Sequence, residues 1–127
     1  MKQELQDFLF NKYPKLYQER TLPPSETCMC WGICCGDGWI LLLDLLSSRI
    51  SKYDVRAVQV KEKFGGLRFY VSFGPDITEE ESELVYKYID EAETESLKTC
   101  ERCGQPGCTR GLGWIVTLCD ACDIKKE

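Results

Sequence analysis

Histidine is missing from the chain altogether. Its absence removes the usual proton shuttle at neutral pH, the base of Ser and Cys triads, and the imidazole ligands of most catalytic zinc sites. Enzymatic readings lose most of their ground on that count alone. Also lacking is any run near the ~18–20 apolar residues of a membrane span, and Met-Lys-Gln-Glu-Leu lacks the apolar stretch of a secretory signal. A cytoplasmic protein with no membrane partner is therefore expected. Positive charge is the minority sign: 16 Lys and Arg face 21 Asp and Glu across 127 residues, a net −5. Non-specific nucleic-acid affinity rests on neutralising phosphates, so so acidic a chain makes a poor generic binder of polynucleotides.

Cysteine, by contrast, is plentiful. Nine thiols, an odd number, with no secretion signal fit a reducing compartment in which they bind metal or fill cores. The strongest pattern is in TCERCGQPGCTRGLGWIVTLCDAC at 99–122. Cys100 and Cys103 form one C-x2-C pair and Cys119 and Cys122 a second, with fifteen residues between them. Each pair belongs on a tight turn that aims two sulfurs at one point, and two such turns complete a tetrahedral all-sulfur shell suited to one structural Zn²⁺. Such a shell is saturated, which makes it a clasp and leaves no position for water or substrate. Four thiolates around a divalent ion carry a formal −2, which would take the loaded chain to roughly −7. Cys108, inside the fifteen-residue insert, is left out as a partly exposed thiol, since the symmetric two-pair solution has the better geometry.

Ahead of the ribbon the pattern is mixed. Leu5, Phe8 and Leu9 share one face of a short amphipathic helix that Pro14 limits. TLPPSET is a loop leading into CMCWGICCGDGW, and Gly36-Asp37-Gly38 reads as a turn in which Asp37 caps the helix that follows. That helix, WILLLDLLSSRISKY, is apolar on nearly every side and should be largely buried. Val58 and Val60, then Leu67, Phe69, Val71 and Phe73, alternate as paired strands around Phe64-Gly65-Gly66 and leave Arg68, Tyr70 and Ser72 on the other face. Thr78 and Glu81 match a capping box opening a helix with Leu84, Val85, Tyr88, Ile89 and Ala92 inward, while Glu80, Glu83, Asp90, Glu91 and Glu93 face water. The expected fold is α+β in a single domain, 1–127: a small antiparallel hairpin packed with helices over 1–99, and a zinc-ribbon-like segment at 100–122.

Two further clusters bear on function. Cys28, Cys30, Cys34 and Cys35 lie among Met29, Trp31 and Ile33, where packing as small apolar side chains is the favoured reading; a second metal site and redox chemistry are the alternatives. Between Arg49 and Arg68 six basic residues face two acids, an anion-facing edge in an acidic protein. A phosphate or carboxylate would sit among Lys61, Lys63 and Arg68 with the amides of Gly65 and Gly66, and Tyr70 or Phe64 would stack on a base. Against this stands an ordinary hairpin whose lysines keep an edge strand soluble.

The combination of CMCWGICCGDGW, VKEKFGGLRFYV and TCERCGQPG with GWIVTLCDAC resembles a family of small proteins encoded by bacteriophages and prophages. The likeness runs from about Thr27 to Cys122, and the hairpin string is its most specific part. It implies a phage origin and a non-enzymatic accessory role. The leading expectation is thus a zinc-stabilised binding protein of an infected bacterial cytoplasm, a counter-defence factor that inhibits a host protein or sequesters a small anionic, nucleotide-type immune signal. The alternative is a nucleic-acid-binding zinc ribbon that modulates transcription or replication, using the basic stretch 49–68. A third, enzymatic reading would need Cys35 or Cys108 as an activated thiol, with only Lys or Arg to activate it.

Overall fold

The computed structural model describes residues 1–124 as an α+β protein. Helix α1 (Gln3–Lys12) leads through irregular turns to a short strand β1 (Ile33–Cys34); helix α2 (Ile40–Ile50), strands β2 (Val55–Lys63) and β3 (Gly66–Phe73) and helix α3 (Glu79–Ser96) follow. The last part is a small hairpin of β4 (Cys108–Arg110) and β5 (Val116–Leu118) closed by helix α4 (Asp120–Ile124). The main sheet runs β1-β2-β3, with β2 and β3 antiparallel and β1 added parallel to β2 through Ile33–Val60 and Cys34–Lys61. None of the described helices is long and apolar enough to cross a membrane.

The hairpin forms where alternation predicts it, with one change of phase. Ala57 pairs with Val71 but Gln59 with Tyr70, so Val58 is an extra residue on β2. This bulge moves Val55, Ala57 and Val60 onto the core side and leaves Val58 only half-buried, against the expectation that Val58 and Val60 share a face. Past the bulge, Gln59, Lys61 and Lys63 share the outer face with Arg68 and Tyr70 across the strand pair. The reversal is a two-residue turn, Phe64-Gly65, at φ 54° and 82°. Two successive positive values match the right-handed twist of a tight hairpin. Gly65 meets that demand freely; Phe64, bulky and 62% exposed, does so at a steric cost of about 1–2 kcal/mol.

Helix α3 opens with the capping box: Thr78 Oγ1 accepts from Glu81 N–H, and the Glu81 carboxylate accepts from Thr78 N–H at 3.0 Å. It lies along the free edge of β3 and supplies acceptors for amides that have no strand partner. Leu67 N–H donates to Ser96 Oγ (2.9 Å) and Phe69 N–H to a Glu93 carboxylate oxygen (3.1 Å). The edge is thereby closed to other strands. Glu93 is thus half-buried, not on the water face, and burial raises its carboxyl above the usual range despite the Phe69 amide and the charge of Arg68.

The core joins Leu9, Leu16, Tyr17, Met29, Ile33, Trp39, Leu43, Leu46, Val60, Leu67, Phe69, Val85 and Ile89. Inside it the Tyr17 hydroxyl is satisfied by Ser47 Oγ at 2.7 Å. On α1 the buried pair is Leu9 and Phe10, while Phe8 is out, its ring under Lys12 Nζ. Helix α2 is not largely buried: Leu43, Leu46 and Ile50 point inward, but Leu41 and Leu45 are 79% and 54% exposed. Nor does Asp37 cap α2. It accepts the Lys2 amide at 2.8 Å and pairs with the Lys2 ammonium, pinning the start of α1 to the turn before α2.

Candidate metal centre

Four of the nine thiols converge. The Sγ atoms of Cys100, Cys103, Cys119 and Cys122 all lie within 4.8 Å of one another, with Cys103 and Cys119 3.6 Å apart. None of the nine cysteines forms a disulfide. Cys100 and Cys103 sit on a tight turn in which Gly104 N–H donates to Cys100 O, and Cys100 N–H donates to Gln105 O. Cys119 follows β5 and Cys122 lies on α4, whose amide points at the Cys119 sulfur at 3.4 Å. Arg110 holds these last parts together: Nε donates to Leu118 O and its two Nη atoms reach Asp120 and Asp123.

Burial would raise the Cys100 thiol, but backbone N–H groups of Cys119, Cys103 and Arg102 aimed at its sulfur outweigh that and bring it down to about 6. Burial and the three neighbouring sulfurs push Cys122 up to about 12. Backbone amides thus favour the Cys100 thiolate, and a divalent cation bound among the four sulfurs would displace the protons that remain on them. The donor set, four soft sulfurs at one point with N–H groups behind them, fits one thiophilic ion. Cys108 is exposed on β4 opposite Leu118 and takes no part.

The ribbon is seated on the other two sequence motifs, a connection that spacing alone does not reveal. Gly38 N–H donates to Glu101 O and Gly36 N–H to the Glu101 carboxylate, each at 2.8 Å. Trp39, fully buried, donates from Nε1 to Thr99 O at 2.9 Å. The approach is close enough to require glycine: a Cβ at Gly38 would stand 2.6 Å from the Gly104 amide nitrogen and nearer still to Cys100 O. At the other side the hairpin tip leans on β5, where the buried Thr117 hydroxyl donates to Gly65 O at 2.6 Å. The CGDGW turn and the KFGG tip therefore flank the metal-bearing segment. The first signal of this seating is two glycines around one aspartate, which on sequence reads equally well as a plain turn.

The residues expected to hold an anion are brought together only in part. Lys61, Lys63, Arg68 and Tyr70 do share the outer face of the sheet, with Lys61 directly opposite Arg68. Gly65 and Gly66, however, are buried, and Gly65 N–H is already taken by the Glu62 carboxylate at 2.8 Å. Gly66 lies under Leu97. The tip amides thus serve the fold. Elsewhere in the basic stretch Arg49 is paired with Glu91 and Arg56 with Glu19.

Cys28, Cys30, Cys34 and Cys35 do not gather as a second metal site; among the described residues the group at 100–122 is the one arranged to hold an ion. Cys35 packs in the core, where burial pushes its thiol up to about 12. Cys28 and Cys34 are exposed, so packing accounts for Cys35 and not for its neighbours. Their loop is turned by hydrogen bonds from Cys30 Sγ to Thr27 O and from Cys34 Sγ to Trp31 O.

The fold and the cluster together define an α+β protein with four cysteines positioned to hold one metal ion. No protein-family model, curated protein or solved structure gives a significant match to the chain.

Proposed function

We propose that the chain is a non-catalytic, zinc-stabilised binding protein. The observation that carries this reading is the four-sulfur cluster seated on both the Gly36–Gly38 turn and the hairpin tip. An ion held there ties the segment from Cys100 onward to the sheet and the second helix. All-thiolate tetrahedral coordination is the usual setting of structural zinc, and a filled shell leaves no position for a substrate. The absence of histidine and the suppressed thiol of Cys35 point the same way. Native mass spectrometry, with thermal unfolding before and after chelation, tests it: one zinc per chain and a large loss of stability on removal are expected, and an empty, equally stable chain would refute it.

The resemblance to phage-encoded proteins supports a finer reading, in which the protein acts in the bacterial cytoplasm as a counter-defence factor against a host protein or a nucleotide signal. Thermal shift with cyclic and linear nucleotides and binding to purified host defence proteins check this; no shift and no partner would count against it. A second reading, binding of nucleic acid, draws on one observation: Lys61, Lys63, Arg68 and Tyr70 share a face next to the exposed, strained Phe64. Gel shift that fades with salt and vanishes on charge reversal at Lys61, Lys63 and Arg68 would favour it.

A further inference from the structure

We infer that the furrow between α2 and α3 is a docking site for a basic, amphipathic helix of a partner protein. The inference rests on the reading of the chain as a binding protein and names the surface that binds. The furrow encloses about 560 Å³. One wall is α2, where Leu41 and Leu45, one turn apart, stand exposed and Arg49 continues the same row. The other is α3, with Tyr88 and Ala92 on the apolar side and Glu91 and Glu95 on the rim. Cys103, Gly104 and Gln105 of the metal-bearing turn close one end.

Two leucines left in water on a helix whose other side is core are an unpartnered apolar strip, the kind of surface that marks an interface. Spacing of the anchors fixes the shape of the occupant: rows at i and i+4 on both walls, about 12 Å from residue 41 to residue 49, suit a helix of two to three turns laid in the groove. Charge fixes its sign. Asp37, Glu91 and Glu95 line the furrow against the single guanidinium of Arg49, a formal −2. Arg49 is spent on Glu91 at 3.2 Å and on the Tyr88 ring, and Asp37 on Lys2, so the Glu95 carboxylate is the one left to meet a cation. Filling the sulfur cluster with a divalent ion would add a net negative site at the end of the groove. A second copy of this chain offers no such helix among the described residues, since α1 sets Glu4 and Asp7 against Lys12, α2 sets Asp44 against Arg49, α3 is crowded with glutamates and α4 carries Asp120 and Asp123.

The probe is a synthetic helix of about 15 residues made of leucine and lysine, with Leu at i, i+3, i+4 and i+7, titrated against the metal-loaded protein at about 0.15 M salt. Its counterpart carries Glu in place of Lys. Binding of the lysine peptide alone is expected, weakened by roughly tenfold or more in L41S/L45S and severalfold in E91Q/E95Q, yet unchanged in E79Q/E80Q, which removes the same charge at the far end of α3. Should the pair fail to fold, L41S alone reads the same contact. Absent binding, indifference to the leucines, or equal loss in the two glutamine variants would overturn the inference. So would a wild-type dimer that L41S/L45S dissociates, because a second copy would then fill the furrow. A chain that keeps its metal but ignores the peptide refutes the furrow and leaves the clasp standing; a chain without metal refutes the clasp.

Discussion

Replacing Gly38 with alanine adds one methyl group where the structure has no room for it. The new Cβ would lie 2.6 Å from Gly104 N and closer to Cys100 O. Both are backbone atoms of the metal-bearing turn, so no side chain can swing aside and the turn itself must move. Overpacking of this kind costs about 1–3 kcal/mol. Moving the turn also weakens the contacts that seat it, from Gly38 N–H and Gly36 N–H to Glu101 and from Trp39 Nε1 to Thr99 O, each worth about 0.5–1.5 kcal/mol net. The expected loss is ~2–5 kcal/mol, a large share of a typical domain's ~5–15 kcal/mol. Urea unfolding of the metal-loaded protein measures it, and competition with a chromogenic chelator reports whether metal affinity falls in step, since folding and metal binding are linked. The control is Gly113→Ala, where a Cβ meets nothing within 4 Å and the change should lie within about 0.5 kcal/mol. If G38A were as stable and as tightly metallated as G113A, the seating of the ribbon on this turn would be wrong.

Other perturbations read different parts of the structure. Phe64→Gly removes a bulky residue from a left-handed turn and should gain about 1 kcal/mol despite glycine's entropy, checked by its urea midpoint; a loss would mean that Phe64 packs in a way its exposure does not suggest. Glu93→Gln keeps an acceptor for Phe69 N–H and removes a charge whose desolvation raises the carboxyl. A raised acid destabilises the fold where it is ionised, so the variant should exceed the wild type at neutral pH. That advantage should shrink as the pH falls through the carboxylate range and Glu93 takes up its proton. Thr78→Ala deletes the hydroxyl that accepts from Glu81 N–H and should cost about 1 kcal/mol in thermal or urea unfolding. Thr117→Val removes the buried hydroxyl that holds Gly65 O and leaves that carbonyl without its donor, a loss of ~1–3 kcal/mol. An unaltered midpoint there would exclude the hairpin tip from the seating.

Much of the local structure was legible because local chemistry sets it. The C-x2-C pairs at 100–103 and 119–122, the Thr78–Glu81 box and the alternation through 67–73 depend on near neighbours, and each forms as its pattern implies. What escaped the sequence depends on contacts between distant segments. Composition marks α2 as apolar all round, but only packing decides that Leu43 goes in while Leu41 stays out. Alternation cannot show an inserted residue, so the bulge at Val58 reversed the expected face. Glu93 looked like one more surface acid in an acidic run, although the exposed edge of β3 drew it in to satisfy an amide. Gly65 and Gly66 suggested free amides at a tip, yet Glu62 and the ribbon had already claimed that tip. Of the candidate site, the sulfur cluster was readable to the residue; its seat on Gly36 and Gly38 was not, because a glycine kept for close approach resembles one kept for a turn.

The central claim is that four sulfurs and nothing else hold one divalent ion. X-ray absorption at the zinc edge, joined to metal counts on each Cys→Ser variant, tests it directly. One ion per chain with four sulfur neighbours at about 2.3 Å is expected, lost on substitution of Cys100, Cys103, Cys119 or Cys122 and retained when Cys28, Cys30, Cys34, Cys35 and Cys108 are replaced. A light-atom ligand in the shell, or metal that survives loss of the four, would contradict the account.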